Sequence, residues 1–544
     1  MNEFNKGNRN LMFRMAFFKY FAQDLHHVKT HICMTRIAPF HWKNLPKGCV
    51  ISVFLILTIS GIVACHKESD SHPVGPVIPS DTADFTCPVE MVDVNTINDT
   101  YYDLAGFDKV LQWGPYNVHD PSVVFTGDCF ACFSTDAMYG MSIQRAGVQI
   151  RMSGDLIGWK FMGWAFPGIP SMANNFIQTN GGQPVENVWA PYIFKSTSEY
   201  RLYYSQASNV SKLSVIGLAT STKIKGPWIE KGLVVTSSAS VVMPNAIDPT
   251  VITDKNGRYW MIYGSSWDGI YLLELDPVTG LAKVPGSKGK RIAHRGFTNG
   301  IMNGNIEAPE IIYNPDFDMY YLFISYDWLE TKYNVRVGRA SSVEGPYYDF
   351  NNRDLNTFED NIPMILAPYA FNGHQGWQGT GHCSVFKKEG QYFMAHQGRP
   401  VENKYFMDLH IRKIFWTEDG WPVVSPERYA GIQQTPVTEE EITGYWEYLP
   451  LHYRIVPGFG EEQTSPDLQK SDTLELHSDG TFNHNPSNIW SYHSNKQIIE
   501  LNWASDSTDR LIIERGWDWE RKQPAVLFTG LNSKGTAIWG KKIP

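Results

Sequence analysis

The 544-residue sequence lacks three things. No long segment carries a convincing 3.6-residue apolar period, so a helical bundle is excluded. There is no surplus of positive charge, and a net charge of -9 argues against a nucleic-acid partner. No apolar run is long enough to span a membrane comfortably. Cysteine is sparse, with seven in all. Cys129 and Cys132 form a CxxC, but no second CxxC and no thioredoxin-like surroundings accompany it. Positions i and i+3 of a strand point to opposite faces. Cys87, Cys129, Cys132 and Cys383 remain beyond the N-terminal region, and Cys129 and Cys132 read as ordinary strand residues, with a disulfide or a metal site as the lesser reading.

Aromatic residues, by contrast, make up 14% of the chain, with 18 Trp and 27 Tyr, which suits an all-β protein, a carbohydrate binder, or both. Near the N-terminus, Lys43 and Lys47 precede the apolar run CVISVFLILTISGIVAC, residues 49–65. A basic stretch followed by a short apolar one is a signal-peptide pattern. Its end, GIVAC, looks like a bacterial lipobox, with cleavage before Cys65 and lipidation of that cysteine. Met34 is a candidate start. Residues 66–100 are polar and Pro-rich and read as a tether. The expectation is an exported lipoprotein of the outer membrane, anchored to the membrane by its lipid and facing the cell surface or, alternatively, the periplasm.

A motif recurs five times from residue 119 on. It has a polar head, an apolar strand, a turn and an aromatic strand: HDPSVVF, VWAPYIF, AIDPTVIT, IEAPEIIY and GHCSVFKK. Pro121, Pro191, Pro249 and Pro309 mark four heads and Ser384 holds the fifth place, at spacings of 70, 58, 60 and 75 residues. Each unit continues into a third run with alternating apolar positions. Five such units predict an all-β, five-bladed β-propeller over residues 101–432. The stretch 433–544 leaves the pattern and predicts a small C-terminal β-barrel or sandwich domain.

In a propeller the first strand of each blade lines the central channel. Asp120, Asp248 and Glu307 then occupy equivalent slots and face one another across a pocket. A proline after Asp120 and Asp248 biases each acid toward extended backbone. Clustered acids raise at least one pKa. Glycoside hydrolysis needs that arrangement, with one carboxylic acid giving its proton to the leaving oxygen and one carboxylate activating water or attacking the sugar. Carboxyl groups roughly 6.5–9.5 Å apart predict inversion.

The motifs HDPSVV, VWAP, NAIDPTV, YGSSWDGIYLLELDP, IEAPEIIY and GTGHCSVF resemble glycoside hydrolase family 43, and most of all its endo-α-1,5-L-arabinanases. The resemblance implies inverting cleavage of internal linkages in arabinan or arabino-oligosaccharides. It makes Asp120 the general base, Glu307 the general acid, and Asp248 the carboxylate that tunes and orients the acid. Glu310 is set aside because strand alternation turns it away from Glu307. The resemblance implies that Asn245, Ala246, Ile247, Ser265, Ser266 and Trp267 contact substrate. Trp267 and Trp189 offer stacking faces. His382 marks a hydrated metal near the axis, calcium in the family, and no organic cofactor is implied. Two alternatives stay open. One is an exo-acting α-L-arabinofuranosidase or β-xylosidase on the same scaffold. The other is a non-catalytic surface glycan-binding lipoprotein, against which the three acids speak.

Overall fold

The computed structural model describes residue 87 and residues 92–99, 102–138, 145–238, 244–298, 301–357, 362–452 and 464–544. The lipobox, Cys65 and most of the tether lie outside the described residues. Among the described residues no helix is long and apolar enough to cross a membrane.

Five antiparallel sheets follow one another along the chain. Blade 1 comprises Ser122–Phe125, Phe130–Ser134, Gln149–Ser153 and Lys160–Trp164. Blade 2 comprises Trp189–Lys195, Tyr200–Gln206, Ser214–Ser221 and Ile229–Ser237. Blade 3 comprises Thr250–Thr253, Tyr259–Tyr263, Ile270–Leu275 and Lys290–Ala293. Blade 4 comprises Ile306–Asn314, Met319–Tyr326, Asn334–Ala340 and Met364–Leu366. Blade 5 runs outward through Trp377–Lys388, Gln391–Pro400, Asp408–Trp416 and Pro422–Val424. The first strands neighbour one another in a ring, which closes where blade 5 meets blade 1. Radial repetition of this kind removes long free edges.

The middle strands are buried on both faces, because each blade is packed between two others. Phe130–Ser134 and Ser214–Ser221 are buried throughout. Their sequences, FACFS and SVIGLATS, accordingly show little polar alternation. Among the described residues, one helix longer than two turns departs from the all-strand expectation. Ser171–Thr179 forms an α-helix that buries Ala173 and Ile177 beside blades 1 and 2. At nine residues it is too short for its period to stand out.

The cysteines also differ from expectation. Cys87 and Cys129 form a disulfide, while Cys132 and Cys383 are buried and free. Cys129 sits just before the strand Phe130–Ser134, where its side chain reaches the segment preceding the propeller. The partner lies 42 residues away rather than in the CxxC.

Gly444–Pro450 opens a closed eight-stranded barrel that ends with Ala537–Lys542, and the two strands pair with each other. It is a barrel, not a sandwich. Leu449, Leu531 and Trp539 of the barrel share one apolar cluster with Tyr369, Trp377 and Trp421 of the propeller. Trp519 Nε1 donates to the Arg428 carbonyl, and Thr529 Oγ1 to that of Val424. Propeller and barrel are thus joined by core packing as well as by chain.

Candidate active site

The five blade heads share one backbone signature. Asp120, Ala190, Asp248, Ala308 and His382 all adopt left-handed backbone, with φ of 52, 33, 56, 53 and 50°. L-residues seldom do so, and such strain gathers at functional sites. The expectation of extended backbone before proline is therefore corrected. The repeat is offset too: Cys383, not Ser384, follows the fifth left-handed residue and holds the proline place. Glu307 stands one residue before its blade's left-handed position, so Ala308 is the counterpart of Asp120 and Asp248. The place of Glu307 matches those of His119, Trp189 and Ile247.

A hydroxyl or amide from the preceding blade clips most heads. The Ala190 N–H donates to Thr135 Oγ1 at 2.7 Å, that of Asp248 to Ser205 Oγ at 3.1 Å, that of His382 to Ser325 Oγ at 2.9 Å, and that of Asp120 to Gln397 Oε1 at 3.4 Å. Blade 4 breaks the rule. Here Ser265 of blade 3 turns its hydroxyl to the Glu307 carboxylate, 2.7 Å from Oε2. The Ala308 N–H donates instead to Asp248 Oδ2 at 3.1 Å. The departure brings Asp248 and Glu307 together through adjacent residues.

The three carboxylates are held differently. Asp120 Oδ2 accepts from Thr135 Oγ1 at 2.6 Å and lies 2.7 Å from His119 Nδ1. Its Oδ1 lies 2.8 Å from His382 Nδ1. Burial pushes the Asp120 carboxyl up, but the two imidazoles outweigh burial and hold it well below the usual carboxylate range. Reciprocally, burial lowers His382, and the Asp120 carboxylate overcomes this and raises it to about 9. Asp248 goes the other way. Burial drives it well above its ordinary value, His382 opposes that, and Glu307 and Asp120 add to it. Asp120 is thus kept charged and Asp248 is pushed toward the neutral form.

Tyr333 was not singled out from the sequence. It is almost fully buried, and its hydroxyl hydrogen-bonds to Glu307. Burial, followed by Glu307, Asp248 and Asp120, raises this phenol well above its ordinary range. A Cβ on Gly381 would lie 2.4 Å from the Tyr333 ring, so the second glycine of GTGH makes room for it. That glycine was the available signal. His119 was in view within HDP but was given no role.

Glu310 also needs a correction. A bulge between Glu307 and Glu310 breaks the alternation that set the two on opposite faces. Glu310 follows Pro309 directly, as Ser122, Thr250 and Cys383's neighbour Ser384 follow their own head positions. It is buried among Thr250 and the Val385 backbone, and burial raises its carboxyl well above the usual range. It forms a layer adjoining the catalytic ring.

The remaining assigned residues separate by exposure. Ala246 is fully buried in the core between blades 2 and 3, which leaves its side chain unavailable to a sugar, and Ile247 is exposed about as little as Asp120 and Asp248. Ser265 serves Glu307. Asn245, Ser266, Trp267 and Trp189 are half-buried. Ser266 and Trp267 both have left-handed backbone, and the Lys212 ammonium lies 5.4 Å from the Trp267 ring. Trp189 Nε1 donates to Asn187 Oδ1, which fixes the indole plane.

A calcium ion takes six to eight oxygen ligands. His382 offers one ring nitrogen besides the one facing Asp120. Among the described residues, no set of three closely spaced His, Cys, Asp or Glu ligand atoms includes it. Among the described residues, His382 therefore has no side-chain cage for an ion.

Residues 114–422 match the model of glycosyl hydrolases family 43. The chain belongs to this family. Residues 426–540 match the C-terminal lipocalin-like domain found with it. An extracellular endo-α-(1→5)-L-arabinanase of Thermotoga petrophila is 28% identical over 82% of the chain and 97% of its own length. The crystal structure of the endo-1,5-α-L-arabinanase from that organism superposes with a TM-score of 0.67 at 26% identity, covering 79% of the chain and 99% of the relative. An extracellular exo-α-(1→5)-L-arabinofuranosidase of Cellvibrio japonicus is 30% identical, but over 57% of the chain and 86% of its own length. The match to the Thermotoga relative therefore spans propeller and barrel together, and that to the Cellvibrio relative a shorter stretch.

Proposed function

We propose that this family 43 protein cleaves internal α-1,5-L-arabinofuranosidic linkages of arabinan with inversion, as a lipoprotein anchored through Cys65 at the outer membrane. The observation that carries the catalytic reading is the contrast between Asp120 and Glu307. Asp120 is clamped by two imidazoles that favour its charged form, as a base must be. Glu307, reached by Ser265 and Tyr333, is the acid that protonates the leaving oxygen. Asp248 accepts from the Ala308 N–H and so fixes the backbone beside Glu307. The likeness to the Thermotoga endo-arabinanase over both domains supports arabinan as substrate and endo action. That relative and the Cellvibrio enzyme are both named extracellular, which supports export.

Incubation with linear arabinan, branched arabinan and xylan, followed by product sizing, tests the substrate. Mixed arabino-oligosaccharides from linear arabinan are expected. Arabinose alone would favour exo action, the reading that the Cellvibrio relative supports, and inertness on all three would overturn both.

We further propose a calcium held through water beside His382, where it would supply a fixed positive charge near the axis. Treatment with a chelator is expected to lower the melting temperature or the rate, and added calcium to restore it. No change in either would remove the proposal.

A further inference from the structure

The barrel carries a second cluster of ligand-type side chains, remote in sequence from the carboxylates of the propeller. Glu475 is the penultimate residue of the strand Asp472–Leu476, and His477 follows two positions on, so both project from the same face. The chain turns through Asp479 and Gly480, pairs briefly at Thr481–Phe482, and then kinks. Asn483 and His484 are consecutive left-handed residues, with φ of 54 and 50°. Two such residues in a row cost conformational energy and need support from their surroundings. The support is local: the Asn483 N–H donates to the Glu475 carbonyl, and the Glu475 N–H to Asn483 Oδ1. The kink brings His484 back over Glu475.

The outcome is a carboxylate between two imidazoles. His484 Nε2 lies 2.9 Å from Glu475 Oε2, and His477 Nδ1 lies 3.8 Å from Glu475 Oε1. The two rings are 4.9 Å apart, centroid to centroid. One ligand atom from each of the three falls within 4.8 Å of the other two. Ligands about 2.1 Å from a tetrahedral ion stand roughly 3.4 Å apart, which these separations bracket. A second observation points the same way. The 3.8 Å gap at His477 Nδ1 is too long for a hydrogen bond. Its Nε2 is buried with no partner among the described residues. The ring is thus held at a carboxylate without a hydrogen bond from either nitrogen. Tyr445, directly across the ladder, hydrogen-bonds to Glu475 and orients it, as an outer-shell group orients a metal ligand.

We infer that Glu475, His477 and His484 form a site for a divalent transition metal of the zinc class, with the fourth position open to solvent. Two imidazoles and one carboxylate suit zinc, copper or nickel, and do not suit calcium, which prefers an all-oxygen shell. The bound ion would tie the hairpin 472–484 together at the barrel surface, and it takes no part in hydrolysis.

The test is titration of the purified protein with zinc alone, beside the variants His484→Ala and Glu475→Gln. His484 is largely exposed, so its replacement leaves the barrel core untouched. The wild-type protein is expected to take up zinc at this site and to melt at a higher temperature with zinc than without. Both variants are expected to lose about tenfold or more in affinity and to lose the thermal shift, while arabinan hydrolysis stays unchanged. Cobalt in place of zinc is expected to give a visible absorption band that His484→Ala abolishes. Zinc uptake that is absent in the wild type, or equal in wild type and variants, overturns the inference. That result would leave the proposed hydrolase reading standing, since the two sites share no residue.

Discussion

Asp120→Asn and Glu307→Gln are each expected to lower turnover of linear arabinan by about a thousandfold or more, with the far-UV circular dichroism spectrum unchanged. Both substitutions keep the shape of the side chain and remove its charge and proton chemistry. In Asp120→Asn the neighbours that stabilise an anion, His119 and His382, are left facing a neutral amide, and water loses its base. In Glu307→Gln the amide still accepts from Ser265 but has no proton to give. The two losses separate with a substrate whose leaving group needs no protonation. On an aryl α-L-arabino-oligoside the Glu307→Gln deficit is expected to shrink strongly, and the Asp120→Asn deficit to persist. Near-wild-type hydrolysis of arabinan by either variant would sink the assignment. Equal deficits on both substrates would sink the division into acid and base.

Much of this site was legible because a propeller turns sequence periodicity into spatial convergence. Pro121, Pro191, Pro249 and Pro309 recur at near-constant spacing, and that alone places five strand heads around one axis. What escaped was finer than a period. The one-residue offset of Glu307 is written in the motif, where it stands two residues before Pro309 while Asp120 stands one before Pro121, but the bulge that follows it, shared by the heads at Trp189 and Gly381, leaves no mark in composition and hid the burial of Glu310. The left-handed backbone at Asp120 and Asp248 runs against the preference of residues before proline, because inter-blade hydrogen bonds to their N–H groups over-determine it. Tyr333 belongs to a loop between two strands of blade 4, and only the fold carries it to Glu307. The Cys87–Cys129 disulfide joins residues whose proximity depends on how the chain enters blade 1.

The seam between propeller and barrel leads to the other large effect. Lys541, on the last barrel strand, has a side chain with no exposed surface. Its ammonium lies 2.8 Å from Glu427 Oε1 of the propeller's final segment and 3.0 Å from Asp518 Oδ1, and it also contacts Glu520. Burial raises Glu427 well above its ordinary value, and Glu520 adds to this, so Glu427 retains a proton that it shares with Glu520. Burial also raises Glu520, but Lys541 and the hydrogen bond from Glu427 outweigh it and depress this carboxyl to about 2. Replacing Lys541 by Met preserves bulk and strands the negative charge of Glu520 in a dry seam, while Asp518 keeps Arg521. Breaking a buried ion pair in this way costs about 3–5 kcal/mol. The sign with pH follows from Glu520. A depressed carboxyl contributes stability above its unfolded value, 4.5, and loses it as pH falls through its folded value. Without Lys541 that contribution is gone at neutral pH, and protonation of the cluster on acidification relieves the repulsion. The deficit of Lys541→Met, measured by urea denaturation, is therefore expected to be largest near pH 7 and to narrow as pH falls below 4.5 toward 2. A variant as stable as the wild type at pH 7, or a deficit that widens in acid, would mean that this buried cluster does not hold barrel to propeller.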